Sequence, residues 1–283
     1  MENTGERLLT EIVNQNAIEH IHRYAFALQY VKNKNVIDIA SGEGYGSNIL
    51  ASVANAVIGI DISKEAIEHA NNKYKRENLS YIHGSADNIP IESNSIDVVV
   101  SFETIEHHYK HQEMMTEIKR ILNPNGLLII SSPDKLHYSL IPKYDNKYHV
   151  KELFVEEFKN LIVNNFTYSI FLNQKLSYCS LIVPIEKVNF YEFSGDFNMV
   201  EKNEGIRNPI YNIAIASQKN IENIFSSSFN GEIILEHIND VHKKLEEKNI
   251  IINEILHSKT YWVGKIILAP FLFVKEKLLY FLK

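Results

Sequence analysis

Val36-Ile37-Asp38-Ile39-Ala40-Ser41-Gly42-Glu43-Gly44-Tyr45-Gly46 is the stretch that decides the fold. A short buried strand over residues 35–40 runs into a glycine-rich turn, and a helical stretch over 45–54 leaves it. Gly42 and Gly44 let the backbone take positive φ and approach a ligand closely. The helix N-terminus beyond them favours the negative end of that ligand, here a carboxylate. About 20 residues on, Asp61 closes a second strand, where an acidic side chain can accept both hydroxyls of a ribose. A glycine-rich turn alone says little, but strand, turn, helix and acid in this order specify a nucleotide-type pocket. A dinucleotide fingerprint asks for Gly or Ala at its sixth position, and this chain has Ser47 there. Asp38, inside the first strand, also departs from that pattern.

Working outward, β-branched runs over residues 56–61, 79–83, 96–102 and 127–132 alternate with helical stretches over 64–77 and 111–122. This alternation predicts parallel strands joined by crossover helices. Ser63 is placed to cap the helix that follows it, and Asn123-Pro124-Asn125-Gly126 to end the next one in a turn. A helix is expected over 155–164. Two further strands, 166–173 (extending towards Val183) and 211–217, suit an antiparallel pair at one sheet edge. The organisation is therefore a cap helix within 1–30, an α/β domain over 31–219 with an inserted loop or lid at 184–209, and a helical segment over 230–283.

The acid before the turn, D-x-x-x-G-x-G, resembles the first motif of the class I S-adenosylmethionine-dependent methyltransferases. The likeness continues through Gly59-Ile60-Asp61-Ile62-Ser63, Gly84-Ser85-Ala86-Asp87, Asp97-Val98-Val99-Val100-Ser101 and Leu122-Asn123-Pro124-Asn125-Gly126-Leu127. It implies a Rossmann-like, mostly parallel seven-stranded sheet with an antiparallel edge strand and a C-terminal helical extension. It also implies S-adenosylmethionine as cofactor. Gly42 and Gly44 would then flank the methionyl moiety, Asp61 would bind the ribose, and Asp38 and Ala40 would belong to the same cofactor-binding set. Ile62 would pack on the adenine, Asp87 would accept from its amine with Ala86 adjacent, and Phe102 and Glu103 would lie beside the transferred methyl. A finer likeness sits in Glu19-His20-Ile21-His22-Arg23-Tyr24-Ala25-Phe26, Phe102-Glu103-Thr104-Ile105-Glu106-His107-His108, Ser131-Ser132-Pro133-Asp134 and Tyr148-His149-Val150-Lys151-Glu152-Leu153. These look like bacterial methyltransferases encoded with surface-polysaccharide and O-antigen enzymes. They would make Arg23 a bidentate partner of the cofactor carboxylate and Tyr24 its cover.

Methyl transfer from a sulfonium needs in-line positioning and, for a hydroxyl acceptor, removal of a proton. His107 and His108 follow the fourth strand, where an acceptor should meet the methyl, and His149 is a further candidate base. The bland alternative for each is a surface or hydrogen-bonding imidazole. His107 and His111 are spaced i, i+4, as metal ligands on a helix can be, but no carboxylate completes such a site and no metal is expected. The acceptor is expected to be a sugar or glycan of envelope biosynthesis. The alternatives are a small metabolite, a quinone-like compound or a phosphorylated headgroup, and, in another class, a non-catalytic scaffold.

Composition limits the remaining choices. A net charge of −6 over 283 residues gives no general reason to expect a nucleic-acid partner. One cysteine, Cys179, excludes an intramolecular disulfide and fits a reducing, cytoplasmic compartment. The acidic N-terminus has no secretory h-region, and no apolar run is long enough to span a bilayer. Ile234, Ile238, Val241, Leu245, Ile252 and Ile255 follow heptad spacing with Lys248 in the seam, which suits a long amphipathic helix able to dock or to pair in a homodimer over 232–257. Trp262, Phe271, Phe273, Tyr280 and Phe281 beside Lys265, Lys275, Lys277 and Lys283 suit a peripheral membrane contact through 260–283, or packing on protein.

Overall fold

The computed structural model describes residues 16–177, 179–186, 190–195, 200–222, 224–258 and 262–263. Helix α1 (Asn16–Val31) leads into β1 (Asn35–Ile39), α2 (Tyr45–Leu50), β2 (Ala56–Asp61), α3 (Lys64–Lys73), β3 (Leu79–His83) and β4 (Ile96–Ser101). A 3-10 turn (Ile105–His107), α4 (His111–Ile121), β5 (Leu122–Pro133), a π turn (Leu136–Leu140) and α5 (Val155–Val163) follow. Then come β6 (Tyr168–Leu176), β7 (Ser180–Pro184), β8 (Tyr191–Gly195), β9 (Val200–Glu204), β10 (Tyr211–Ser217), β11 (Ser227–Phe229) and α6 (Glu232–His257).

The main sheet has the order β11-β7-β6-β10-β5-β4-β1-β2-β3. Strands β3, β2, β1, β4 and β5 pair in parallel, and β10 pairs antiparallel with both β5 and β6. β7 is antiparallel to β6, and β11 to β7, so all strands but β10 and β7 run the same way. The sheet thus has nine strands where seven were expected. The stretch expected as one strand towards Val183 folds back as the β6–β7 pair, with the Ser177 N–H bonded to the Cys179 carbonyl at 3.0 Å between them. β10 is not at an edge. All seven of its residues are buried, as a strand flanked on both sides requires. The expected lid over 184–209 contains a hairpin of its own, β8 paired with β9.

Local chemistry explains the element ends. The Ser63 hydroxyl accepts the Ala66 N–H at 3.3 Å and caps α3, as its position suggested. The Glu157 carboxylate accepts the Phe154 N–H at 2.9 Å and starts α5. α4 stops at Ile121, and the expected turn at 123–126 is absorbed into β5 as a register shift opposite Ile96 and Val98. There the Asn123 side chain accepts the Asn125 N–H at 2.9 Å.

Period-2 alternation divides the core between the two faces of the sheet. Ile37, Ile39 and Val99 pack with Met114, Met115, Ile118 and Phe158 on one face, under α4 and α5. Val36, Val98 and Val100 pack with Tyr24, Phe26, Ala27 and Leu50 on the other, under α1 and α2. α4 buries Met114, Met115, Ile118 and Ile121 on one helical stripe, each worth about 1.5–3 kcal/mol of transfer free energy.

Residues 1–231 form one compact unit and 232–283 a second. In the second, α6 covers the expected heptad helix, and Leu245, Ile250, Ile251, Ile252 and Ile255 on it are exposed. Of the expected aromatic–lysine segment only Trp262 and Val263 are described, both exposed, and the rest lies outside the described residues. Among the described residues no helix is long and apolar enough to cross a membrane.

Candidate functional site

β1 passes to β2 on one side and neighbours β4 on the other, so the strand order reverses between β1 and β4. Ligands of open α/β sheets bind at the carboxyl ends of the strands flanking such a point. A cavity of about 930 Å³ opens there. Ala40 follows β1 directly and Glu103 lies two residues beyond β4, and they hold φ of 58° and 51°, a left-handed conformation uncommon for non-glycine residues. Both lie on the cavity wall.

The glycine turn is shaped by what packs against it. Gly44 (φ 93°) precedes α2, and its carbonyl accepts the Tyr81 hydroxyl at 2.7 Å. Gly46 has a different task. A Cβ there would lie 1.9 Å from Tyr24 Cζ, so only glycine admits the ring. Tyr24 in turn donates to both oxygens of Asp38 (3.2 and 3.3 Å), and Ser47 donates to Asp38 Oδ2 at 2.6 Å. The serine that breaks the dinucleotide pattern therefore serves the buried acid of β1. Burial pushes the Asp38 carboxyl up to about 7, against the two hydroxyl bonds that lower it.

Asp61, 4% exposed, receives the Gly42 N–H on Oδ2 at 2.9 Å and the Ser63 N–H on Oδ1 at 2.8 Å. Its carboxylate is thus held on the cavity wall beside the turn. Ile62 follows it and is 68% exposed on the same wall, a large apolar side chain offered to a ligand. Asp87 lies beyond, with Ala86, at the same end of the cavity. Hydrogen bonds from Lys110 and Ser85 hold the Asp87 carboxyl down at about 2, so it is an acceptor throughout the neutral range. His108 belongs to this end too. His111, Asp87, His107 and Glu113 all act on it, and burial followed by His111 lowers its pKa. Both its ring nitrogens are buried without a hydrogen-bond partner, a state that a bound polar ligand would relieve.

Across the cavity, His107 and His149 meet edge to face at 5.2 Å between ring centroids. His107 Nδ1 donates to the Tyr148 carbonyl at 3.0 Å, and His149 Nδ1 lies 2.5 Å from Glu152 Oε1. Tyr138 stacks on His149 at 5.2 Å, and Tyr144 and Asn146 line the same end. Glu106 completes this group. It is 1% exposed and on the wall, and burial with the nearby Glu103 raises its pKa well above the usual carboxylate range.

Of the expected site residues, Tyr24, Ala40, Gly42, Asp61, Ile62, Ala86, Asp87, Phe102, Glu103, His107, His108 and His149 line this one cavity. Arg23, Asp38 and Gly44 do not, and each has a structural reason. Arg23 is fully buried behind the wall, donating from Nη1 to Gln174 Oε1 at 2.7 Å and sitting over the Tyr211 ring at 4.7 Å. Its guanidinium is 4.0 Å from Glu103 Oε1, so it steadies a wall residue and does not reach the cavity. Asp38 organises the turn from below, and Gly44 starts α2. His108 lies beside Asp87 and His111, with His107 also acting on it, and its side chain lines the same cavity as the other two candidate bases. The i, i+4 pairing of His107 with His111 fails, because His107 ends a 3-10 turn before α4 begins. Sequence reasoning missed Glu106 and Tyr45 as wall residues, although both lie inside motifs already singled out. It also missed His20, whose Nδ1 is 3.0 Å from the Tyr45 hydroxyl.

Residues 37–130 match the family model described as a methyltransferase domain. Over 164 residues the chain is 31% identical to a Mycolicibacterium smegmatis protein described as a "probable S-adenosylmethionine-dependent methyltransferase", covering 56% of this chain and 62% of that one. It is 28% identical over 127 residues to phthiotriol/phenolphthiotriol dimycocerosates methyltransferase 1 of Mycobacterium ulcerans, covering 43% of this chain and 46% of that protein. The chain therefore spans less than two thirds of the curated relatives it matches. Among solved structures, YcgJ of Bacillus subtilis aligns with a TM-score of 0.52 at 15% identity, over 71% of this chain and 100% of that one. The likeness at that identity concerns the fold, and the fold is the Rossmann-like methyltransferase fold.

Proposed function

We propose that this chain is an S-adenosylmethionine-dependent methyltransferase acting on a hydroxyl of a sugar or glycan intermediate of envelope polysaccharide assembly. The observation that carries the cofactor half is the single wall on which Asp61, Ile62 and Asp87 follow one another beside the Gly42 turn. Those side chains suit a ribose, the face of an adenine and its amine in turn, and the turn suits the amino-acid end. The orphaned nitrogens of His108 at the adenine end agree with a polar base bound there. S-adenosylmethionine would supply an activated methyl group on sulfur. The protein's part is to hold the acceptor in line with that methyl and to take its proton.

The acceptor half rests on the other end of the cavity. Tyr138 and Tyr144 offer aromatic faces, while Asn146, His107 and His149 offer polar atoms, the mixture that a sugar ring with apolar faces and hydroxyl edges requires. With both Nδ1 atoms engaged, Nε2 of His107 or of His149 is the atom to receive a hydroxyl proton. The exposed apolar side chains of α6 support a role for residues 230–283 in localisation, by pairing with a second copy or through a membrane contact of the segment after it.

Calorimetry of the full chain with S-adenosylhomocysteine tests the cofactor half, and undetectable binding would remove it. Transfer of labelled methyl to nucleotide-sugars and lipid-linked glycans tests the acceptor half. Transfer to phthiotriol-type lipids alone, the acceptor class named for the Mycobacterium ulcerans relative, would replace it.

A further inference from the structure

We infer that Glu106, His107 and His149 bind one divalent transition-metal ion at the acceptor end of the cavity. One ligand atom from each lies within 4.8 Å of the other two. Two ligands held at about 2.1 Å from a tetrahedral ion sit roughly 3.4 Å apart. His107 Nε2 and Glu106 Oε1 are 3.8 Å apart, within a few tenths of an ångström of that spacing, and His149 has to close by little more than an ångström at most.

Three further observations point to an ion. Glu106 is 1% exposed and lines the cavity, and its Oε2 is buried with no hydrogen-bond partner, so its carboxylate carries an unmet acceptor that a cation bound to it would satisfy. Each imidazole has its Nδ1 engaged from behind, His107 by the Tyr148 carbonyl and His149 by the Glu152 carboxylate. An outer carbonyl or carboxylate fixes the tautomer with the proton on Nδ1 and turns the Nε2 lone pair inward, the arrangement found behind metal-bound histidines. Glu103 adds a second carboxylate to the same wall, which a cation would offset. Two imidazoles and one carboxylate favour Zn²⁺, Co²⁺ or a similar ion over Mg²⁺ or Ca²⁺, which prefer oxygen alone.

Three protein ligands leave coordination open towards the cavity. The ion site stands independently of the cofactor, but its consequence rests on the methyltransferase reading. An acceptor hydroxyl bound there would ionise more readily, and the two imidazoles would act as ligands instead of bases.

The test uses the full chain, stripped with a chelator and titrated with Zn²⁺ against a chromophoric competitor. One ion per chain is expected, with Glu106→Gln and His149→Gln each weakening binding at least about 100-fold. Glu152→Gln, a positioning change, should weaken it about 10- to 100-fold. Co²⁺ should give a visible d–d absorption in the wild type that these variants lose and His257→Gln, on α6, retains. S-adenosylhomocysteine binding, measured in parallel, should persist in every variant, which separates failure of the ion site from failure of the cofactor reading. Zn²⁺ affinity unchanged in Glu106→Gln and His149→Gln overturns the inference. If those two lose S-adenosylhomocysteine binding through misfolding, Glu152→Gln decides, and unchanged affinity there overturns it equally.

Discussion

Replacing Asp61 separates its two tasks. Its oxygens hold the Gly42 and Ser63 N–H groups at 2.9 and 2.8 Å, and in the proposed complex the same carboxylate accepts the ribose hydroxyls. Hydrogen bonds to a charged acceptor are worth about 1.5–3 kcal/mol. Their loss lowers cofactor affinity by about 10- to 150-fold, at about 1.4 kcal/mol per factor of ten. Asp61→Asn keeps one amide oxygen for one of the two N–H groups and presents its own N–H₂ to the other. Asp61→Ala leaves both without a side-chain acceptor, and an N–H left unsatisfied costs about 1–3 kcal/mol of stability where water cannot reach it. Both variants should therefore lose 10-fold or more in S-adenosylhomocysteine affinity by calorimetry. The alanine variant, which loses both acceptors, should show the larger drop in urea midpoint, with far-ultraviolet dichroism reporting that both are folded. Affinity within threefold of wild type in both folded variants refutes the ribose assignment and with it the proposed cofactor seat.

Gly46→Ala should cost about 1–3 kcal/mol by overpacking against Tyr24, read as a lower denaturant midpoint, and Tyr24→Ala in the same chain should recover part of it. An unchanged midpoint would mean that the ring moves aside freely. Burial raises the carboxyls of Asp38 and Glu19 to about 7, so between pH ~4 and 7 the folded chain holds more protons than the unfolded one. Stability contributed by these two groups therefore falls as pH rises through that window, and Asp38→Asn should flatten the fall in denaturant titrations at pH 5 and 7.5. A slope no shallower than wild type contradicts the assignment. His107→Ala should lower turnover by about 10²-fold with cofactor affinity near wild type, whereas His108→Ala should chiefly weaken cofactor binding. The reverse pattern would exchange their places. A chain ending at Gly231 should remain folded and bind S-adenosylhomocysteine while losing association with anionic vesicles, an association that salt should weaken. Co-sedimentation of both chains decides this, and equal binding by the two removes the membrane contact.

Much of the fold was legible in the sequence because its signals are local. The β-branched apolar runs of β1 to β4, the Ser63 cap, the Gly42–Gly44 turn and the acid ending β2 are each written within a few neighbouring residues. They fixed the parallel half of the sheet and the Asp61–Asp87 wall. The tertiary structure decided which distant segments meet. Arg23 and Tyr24 are adjacent in sequence, yet the turn of α1 sends one behind the wall and the other onto it. β10 could be recognised as a strand, but its place between β5 and β6 depends on burial of both its faces, which no local pattern specifies. His107 and His149 come from segments on either side of β5, and only the packed loop carrying Tyr148 brings them to 5.2 Å with Glu106. Such a meeting depends on the path of the intervening chain. The sequence by itself determined the kind of pocket, and tertiary packing determined which side chains face into it.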